Sequence, residues 1–499
     1  MGTQLSAILK GGRLTATNKK VINFISSIEN DRQIAHATIL VNEAHLIALT
    51  KANIINHNSA RKLLKALRKL EKKITFREGY EDIHVMIEQY VTHEVGRVTG
   101  GSLHIGKSRN DQVATAIRIT LREEMLKLSN QLLSFENSLL KLAKRHTRTV
   151  FPGYTHLQPA QPITFAHYLV ANGDSILRDE QRVIEAFNRI NNSPMGSGAL
   201  AGTSFNIDRT LVAQLLGFHG LVENSLDAVG SRDFILETLS TCCITALDLS
   251  RIAQDIIFYS CTDVGLLEIP DEYSSTSSIM PQKKNPDPLE LLRAKCAGVI
   301  GNYTTAATTL HALPSGYNLD LQEITILLWR SLDTLRSCIE ILNGLVPKLK
   351  LKPHAEKQMD LTAATEIANI LVRDEKIPFR DAHRLVGRSV NEALAKKRNL
   401  KDLKQHDWEE IICRKIKAQT MKNIESALDL KRHIYAYRTI GSPNPNRTDQ
   451  MINKRTKLIQ SCKERNRLIE TQLARSLGKL HHIAYYFTRK SPRHRSLMS

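Results

Sequence analysis

Several features that mark special classes of protein are missing from this sequence. No uninterrupted run of about 18 apolar residues occurs, so a membrane-spanning helix is not expected. The first 20 residues lack the apolar core of a secretory signal. The seven cysteines are odd in number and form no CxxC pair. We therefore expect a cytoplasmic protein with reduced thiols and no metal site.

Acidic residues are also scarce relative to basic ones, 50 against 70, which gives a formal net charge of +20. Many of the basic residues lie on the polar face of a helical pattern at 61–73 or in the tail 488–499. Solvated helical faces and a basic tail explain this charge, and steering of an anionic substrate is the alternative. No zinc-finger spacing, RNP-like aromatic motif or P-loop accompanies it, so we do not expect nucleic-acid binding.

Glycine and proline are absent from three long stretches, residues 107–151, 231–264 and 317–343. Long stretches without helix breakers predict long helices. The second stretch also contains an apolar seam at steps of four and three: Ile235, Leu239, Cys242, Ala246, Leu249, Ala253 and Ile256. Such near-heptad spacing is typical of helices packed side by side. The sequence therefore predicts a mostly α protein with a central bundle of long helices.

Shorter segments flank these stretches on both sides. We therefore predict three helical domains, covering residues 1–107, 108–356 and 357–499, with the long-helix bundle in the middle one. The apolar seam is so extended that we expect part of it to be buried against a second chain.

Two polar loops interrupt the predicted helices. In "GGSLHIGKSRNDQ" (100–112), Ser108, Arg109 and Asn110 come just before a helix. N-capping alone accounts for such residues, but Arg109 could also bind a carboxylate with its planar fork of donors. In "FPGYTHLQPAQPITF" (151–165), Thr155 and His156 lie among three prolines, which favours a preformed polar site over a purely structural histidine.

The third loop, "STSSIMPQKKNPDPLE" (275–290), suits neither a helix nor a strand. Asp287, Pro288 and Glu290 predict a capping box that opens the next helix. The cap does not explain Ser277 or Lys283, and cations beside a helix N-terminus are unfavourable. A bound anion would relieve that repulsion, so this loop is a candidate anion site.

Together these loops resemble a known family. "SSIMPQKKNPD" resembles the signature of the fumarase/aspartase superfamily, whose lyases release fumarate. "SRNDQVAT", "YTHLQPAQP", "GSGALAGTSFNIDR" and "YNLDLQE" narrow the resemblance to the argininosuccinate lyases. The resemblance extends from about residue 24 to residue 387. It implies reversible elimination of arginine and fumarate from argininosuccinate, without a cofactor, by a homotetramer whose sites are shared between subunits.

The resemblance also implies roles for individual residues. Ser277 matches the general base, His156 the general acid, and Glu290 the carboxylate that orients this histidine. Lys283 matches a donor that stabilises the intermediate. The residues that the resemblance assigns to intermediate or substrate contacts are Ser27, Asp31, Ser108, Arg109, Asn110, Thr155, Asn285, Tyr317 and Gln322.

Four positions depart from the common pattern of the family. They are Thr276 for glycine, Ile105 for threonine, Ser231 for aspartate and Thr325 for a substrate-contacting lysine. The alternatives to an argininosuccinate lyase are another fumarate-releasing lyase, such as an adenylosuccinate lyase or an aspartase, and a non-catalytic scaffold or basic binding protein. The two motifs around residues 108 and 156 argue against the first. The joint presence of Ser277, His156, Lys283 and Glu290 argues against the second.

Overall fold

The computed structural model describes residues 18–76, 79–352, 359 and 361–489. Most of these residues are helical, which confirms the predicted fold class. The helices are α1 (Lys19–Ile25), α2 (Ala35–Lys51), α3 (His57–Glu71), α4 (Ile83–Val95), α5 (Arg97–Gly101), α6 (Arg109–Arg145), α7 (Phe165–Ile190), α8 (Arg209–Leu215), α9 (Ser225–Gly230), α10 (Asp233–Ser260), α11 (Asp287–Leu310), α12 (Leu321–Leu345), α13 (Ala364–Glu375), α14 (Phe379–Ala395), α15 (Gln405–Ile412), α16 (Ala418–Leu428), α17 (Leu430–Ala436) and α18 (Pro445–Arg489).

The strands are short and pair two by two. β1 (Val150–Thr155) and β2 (Gln158–Thr164) form an antiparallel hairpin, and β3 (Asn192–Ser193) and β4 (Gly220–Leu221) pair in parallel. β5 (Leu267–Glu268) pairs with β8 (Lys350–Leu351), and β6 (Ser275–Thr276) with β7 (Lys284–Asn285), both antiparallel. Two of the pairs, β1–β2 and β6–β7, lie in the second and third polar loops.

The long helices form the central bundle that the sequence predicts. α6, α10 and α12 occupy the three stretches without glycine or proline, and they pack with α7 and α11. α18 lies against α6 and α7, so the end of the described chain returns to the bundle. A long helix buried on several sides is stabilised mainly by this packing rather than by its own propensity.

The apolar seam of α10 is buried inside the single chain, so the expectation that a second chain covers part of it is wrong. Each of its seven residues is at most 1% exposed. Helices α7, α11 and α12 cover the seam, because a bundle of this size surrounds α10 with neighbours. Exposed apolar residues of the bundle include Leu247 of α10, 47% exposed, and Leu291 of α11, 58% exposed, and Gly298 and Gly301 of α11 face open space.

Two hydrophobic cores account for most of the buried apolar residues. The larger one joins the N-terminal helices, the bundle and α18. The smaller one lies among α13, α14, α15 and α16 around the fully buried Trp408. The division into three domains remains a prediction. The last ten residues of the basic tail, 490–499, lie outside the described residues.

Neither membrane spans nor disulfides are found in the described part of the chain. None of its helices combines the length and the apolar character that crossing a bilayer requires. All seven cysteines are free thiols, as expected from their spacing.

Candidate active site

The start of α6 positions the first group of predicted site residues. Ser108 is the N-cap: its hydroxyl accepts a hydrogen bond from the amide of Asn110, 3.3 Å away. Asp111 completes the capping box by accepting from the amide of Ser108 at 3.0 Å. The capping alternative therefore holds for Ser108. The side chain of Asn110 takes no part in this cap. Its amide group donates a hydrogen bond to the carbonyl oxygen of Ala199 at 3.1 Å.

Arg109 is held by two carboxylates that the sequence analysis did not single out. Its Nη1 lies 2.7 Å from Asp82 Oδ2 and 3.1 Å from Glu81 Oε1. Asp82 also caps α4 by accepting from the amide of Val85 at 2.7 Å. The only sequence signal was an acidic pair before a helix, and that pattern is common to many N-caps.

Ser27 and Asp31 form a buried pair next to these carboxylates. The Ser27 hydroxyl donates to Asp31 Oδ2 at 2.8 Å, and the amide of Ile83 donates to the same oxygen at 3.1 Å. Burial raises the pKa of Asp31 to about 7, although both hydrogen bonds lower it. Asp31 can therefore gain or lose its charge near neutral pH when a ligand arrives.

Tyr317, in the loop before α12, and Gln322, in the first turn of α12, reach the same region. Gln322 Nε2 donates to the carbonyl of Ile25 at 3.1 Å. Burial raises the pKa of Tyr317, and the charges of Arg232 and Arg109 lower it. The structure thus brings together five predicted substrate residues, here called the N-terminal cluster: Ser27, Asp31, Arg109, Tyr317 and Gln322. Arg232, which is buried beside them, was also missed.

Within the third polar loop, residues 275–285 form a small hairpin closed by β6 and β7. This hairpin is here called the signature loop. Lys284 Nζ lies 2.6 Å from Asp271 Oδ1, which ties the returning strand to the chain before the loop. Lys283 is exposed at the edge of the hairpin, and Asn285 is half-buried within β7. Lys284 therefore has a structural partner, whereas Lys283 lies at the surface of the loop.

The hydroxyl oxygen of Ser277 lies at the tight turn of the signature loop. It accepts hydrogen bonds from the main-chain amides of Met280 at 3.2 Å and Ile279 at 3.4 Å. Amide donors aimed at one oxygen favour its negatively charged form. The loop therefore provides the kind of environment in which a serine can act as a base.

The predicted capping box at the start of α11 is wrong. The helix begins at Asp287 itself, after Pro286, and no side chain caps it. The carboxylate of Asp287 instead accepts a hydrogen bond from the hydroxyl of Ser275, across the base of the signature loop. Glu290 is exposed in the first turn of α11 and is not needed as a cap.

Thr155 and His156 lie at the tip of the β1–β2 hairpin. The two turn residues, His156 and Leu157, have φ angles of 54° and 59°, a conformation that usually requires glycine or asparagine. Such residues cost roughly 1–3 kcal/mol each and often mark functional sites. Leu157 is 71% exposed, and Thr155 and His156 are exposed too, so the strained tip projects from the chain.

The three groups lie on different elements of the chain. Among the described residues, no hydrogen bond or ion pair joins the N-terminal cluster, the signature loop and the hairpin tip. His156 therefore has neither kind of bond to Ser277 or Glu290, the residues with which it is expected to work.

The four departures from the family pattern lie in different surroundings. Thr276 is exposed in β6, and Ile105 packs on the core and accepts a hydrogen bond from buried His45. Thr325 is half-buried, and its hydroxyl donates back to the carbonyl of Leu321 at 3.3 Å. Ser231 lines a cavity of about 390 Å³ together with Gly316 and Asn318, so a serine in place of the aspartate of the family pattern alters the wall of that cavity.

Comparisons with known proteins agree with these features. A family model described as "Lyase" matches residues 12–301, and one described as "Argininosuccinate lyase C-terminal" matches residues 361–435. Among solved structures, EDDS lyase in complex with formate has a TM-score of 0.85 and 25% identity, covering 92% of each chain. A class II fumarase from Schistosoma mansoni, 18% identical, shares the fold with a TM-score of 0.66 over 79% of this chain and 90% of that one.

Curated relatives are more similar still. The argininosuccinate lyase of Methanothrix thermoacetophila is 42% identical over 467 residues, which cover 92% of this chain and 94% of the relative. The argininosuccinate lyase of Methanosarcina mazei is 40% identical, with coverage of 90% and 93%. The chain therefore belongs to the argininosuccinate lyase family.

Proposed function

We propose that this protein cleaves argininosuccinate reversibly into arginine and fumarate by general acid–base catalysis, without a cofactor. The observation that carries the proposal is the cradle of amides around Ser277, in a chain whose relatives are argininosuccinate lyases. A cytoplasmic location agrees with free thiols throughout the chain.

The reaction begins with removal of a proton from the carbon next to a carboxylate of the succinyl group. Ser277 takes this proton as an alkoxide, after its own hydroxyl proton has been lost to solvent, and the amides of Ile279 and Met280 stabilise that alkoxide. The electron pair passes into the carboxylate, and Lys283 and Asn285 stabilise the added charge. A preorganised donor of this kind contributes roughly 10²–10³ in rate.

The second step breaks the carbon–nitrogen bond. The electron pair returns from the carboxylate to form the double bond of fumarate, and the bond to the guanidinium nitrogen breaks. His156, oriented by Glu290, gives a proton to that nitrogen, which leaves as part of arginine. The exposed hairpin tip can present His156 to a substrate because its own chain does not cover it.

The N-terminal cluster binds the substrate. Once its carboxyl group is ionised, Asp31 can bind a cationic group of the substrate. Arg109 uses Nη1 for Asp82 and Glu81, while its other N–H groups make no hydrogen bond within the described residues and can bind a carboxylate. Ser108 and Asn110 extend the polar wall formed by Tyr317 and Gln322, and Thr155 joins it with the hairpin tip of another subunit.

The complete site is assembled from different subunits of a homotetramer. The lack of hydrogen bonds and ion pairs between the three groups, among the described residues of one chain, supports this, because nothing there joins the proposed acid to the proposed base. The exposed face of α11 supports a shared site too. Gly298 and Gly301 would let a second helix approach closely, and that helix would cover the apolar Leu291.

Fumarate release from three substrates tests the function. Purified protein is incubated separately with argininosuccinate, adenylosuccinate and aspartate, and fumarate is followed by its ultraviolet absorbance. We expect fumarate from argininosuccinate and essentially none from the other two. Preferential turnover of adenylosuccinate or aspartate would reject the substrate assignment, and no turnover of any of them would reject the enzyme.

A further inference from the structure

The motif "GSGALAGTSFNIDR" (196–209) is part of the family resemblance, but nothing above gives it a role. It begins with a tight turn, residues 196–202, here called the glycine turn because its three glycines all have positive φ. The amide of Gly202 donates to the carbonyl of Ser197 at 2.8 Å and closes the turn. A Cβ on Gly198 would lie 2.5 Å from the carbonyl oxygen of Gly202, so a glycine is required there.

The glycine turn contacts the candidate site through Asn110. The side-chain nitrogen of Asn110 donates to the carbonyl oxygen of Ala199 at 3.1 Å. Because a carbonyl oxygen can only accept a hydrogen bond, this contact determines which end of the Asn110 amide faces the turn. The oxygen and the second N–H of that amide have no hydrogen bond within the described residues, so both are available to a ligand. The position of the Ala199 carbonyl therefore sets how Asn110 presents these groups.

Asp111, the next residue of α6, holds the glycine turn by its main-chain amides. Its Oδ2 accepts hydrogen bonds from the amides of Gly196 at 3.0 Å and Gly198 at 2.9 Å. Asp111 is fully buried, and its other oxygen accepts from the amide of Ser108. One side of the turn is therefore fixed to the start of α6.

Arg209, the last residue of the motif, holds the turn and the two residues before it by their oxygens. Its Nε donates to the carbonyl of Met195 at 3.0 Å, and its Nη2 donates to the hydroxyl of Ser197 at 2.9 Å. Ser197 is fully buried and in turn donates to the carbonyl of Pro194 at 2.7 Å. A Cβ on Gly196 would lie 2.7 Å from Cγ of Arg209, so this glycine lets the arginine side chain pass.

The same guanidinium ties the turn to the segment before α9. Nη2 of Arg209 donates to the carbonyl of Val222 at 2.9 Å, and Nη1 donates to that of Glu223 at 3.1 Å. Arg209 is the first residue of α8, where a cation is unfavourable to the helix dipole. Its oxygen partners offset that cost. A planar fork of N–H donors can reach all of them at once, and a lysine ammonium cannot.

We propose that Arg209 is a positioning residue for the elimination: it fixes the glycine turn, and the carbonyl of Ala199 in that turn orients Asn110 toward the substrate. Hydrogen bonds and the short main chain between Ser197 and Ala199 make up every step of this link. The inference rests on the proposed function, because Asn110 is a substrate residue only in that account. Arg209 acts through Asn110 and does not touch the substrate.

Arg209→Lys separates the fork from the charge, since it keeps the cation but loses most of the hydrogen bonds. The Ala199 carbonyl should then shift and leave Asn110 wrongly oriented. We expect KM for argininosuccinate to rise about tenfold, with kcat within about threefold of wild type, because Asn110 binds the substrate before as well as during the reaction. If Arg209→Lys does not fold, Ser197→Ala, which removes one acceptor of the fork, replaces it in the same measurements.

Arg122→Lys is the matched control. Arg122 of α6 also uses its guanidinium to bind main-chain carbonyls, those of Gly217 at 2.8 Å and Leu216 at 2.9 Å, and none of its partners is a predicted site residue. This variant should lose stability, as Arg209→Lys does, but should keep KM within about twofold of wild type. A rise of KM in Arg122→Lys equal to that in Arg209→Lys would overturn the proposal.

The test is a double-mutant cycle of wild type, Arg209→Lys, Asn110→Ala and the double variant, with KM and kcat measured for argininosuccinate. In the Asn110→Ala background no side chain is left to orient, so Arg209→Lys should raise KM less than about twofold. An equal rise of KM in both backgrounds, an unchanged KM in Arg209→Lys, or a loss that appears in kcat rather than KM overturns the proposal.

Failure of the proposed function gives a different result. In that case wild type and Arg122→Lys release no fumarate either. Urea unfolding of the four proteins of the cycle then still measures the coupling of Arg209 to Asn110, and additive changes in the free energy of unfolding would overturn it.

Discussion

The main-chain amide of Met280 donates a hydrogen bond to the hydroxyl oxygen of Ser277 across 3.2 Å. Together with the amide of Ile279, it gives the signature loop a preorganised site for negative charge on that oxygen. A serine is a poor base in water, and the sequence does not show what could activate Ser277. The two amides are a feature of the structure that would favour its negatively charged form. The path of the turn directs both amides at this oxygen; a helix or strand at this position would direct the amides elsewhere.

Ser277→Ala should abolish turnover while leaving substrate binding nearly unchanged, since the hydroxyl acts in the transition state. We expect kcat to fall by roughly 10²–10⁴, with the dissociation constant within about threefold of wild type. Ser278→Ala is the matched control, because this neighbour is exposed and carries the same hydroxyl. Near-normal kcat in Ser277→Ala would remove it from the role of base.

Lys283→Met should reduce kcat by about 10²–10³ without lowering thermal stability, because Lys283 is exposed and stabilises only the intermediate. The comparison is Lys284→Met, which removes the ion pair with Asp271 and should affect kcat much less. Steady-state kinetics and thermal unfolding of both variants check this. A Lys283→Met protein that unfolds at lower temperature with normal kcat would make the residue structural.

The affinity for substrate should increase as pH rises through about 7. Burial raises the pKa of Asp31 from 3.8 to about 7, so its carboxylate, which we propose binds the cationic group, becomes the major form as the pH rises through that value. KM should therefore fall between pH 6 and pH 8. In Asp31→Asn this dependence should disappear and KM should stay high. A pH-dependent KM that persists in Asp31→Asn would assign the titration to another group.

Asp82 has two functions that different substitutions separate. Asp82→Asn keeps a good N-cap for α4 but removes the nearer of the two charges that hold Arg109, so KM should rise about tenfold with unchanged stability. Asp82→Ala loses the cap as well and should lower the free energy of unfolding by about 1 kcal/mol. Urea unfolding and KM are measured on both. Equal KM values in Asp82→Asn and wild type would show that Asp82 does not position Arg109.

Local patterns predicted the helices well. The stretches without glycine or proline became α6, α10 and α12, because nothing in them breaks a helix that packing then stabilises. The seam of α10 correctly marked a buried face. It did not tell which neighbours cover that face, since periodicity describes one helix and not its partners.

Long-range contacts and helix starts were harder to predict. The pairing of Arg109 with Asp82 joins residues 27 positions apart, and the hydrogen bond from Gln322 to the carbonyl of Ile25 joins residues 297 positions apart. The capping box at Asp287 failed because Ser275, 12 residues away, competes for its carboxylate. The amides around Ser277 depend on the exact path of a turn, which residue types alone do not determine.

Complementation between two inactive variants tests the shared site most directly. His156→Asn and Ser277→Ala are purified, shown to be inactive alone, dissociated, mixed and reassembled, with mixed tetramers confirmed by native mass spectrometry. If His156 and Ser277 of one site come from different chains, some sites receive an intact copy of each, and the account predicts that fumarate release from argininosuccinate recovers. If both come from one chain, every site carries a lesion. Mixed tetramers that stay inactive would contradict the account.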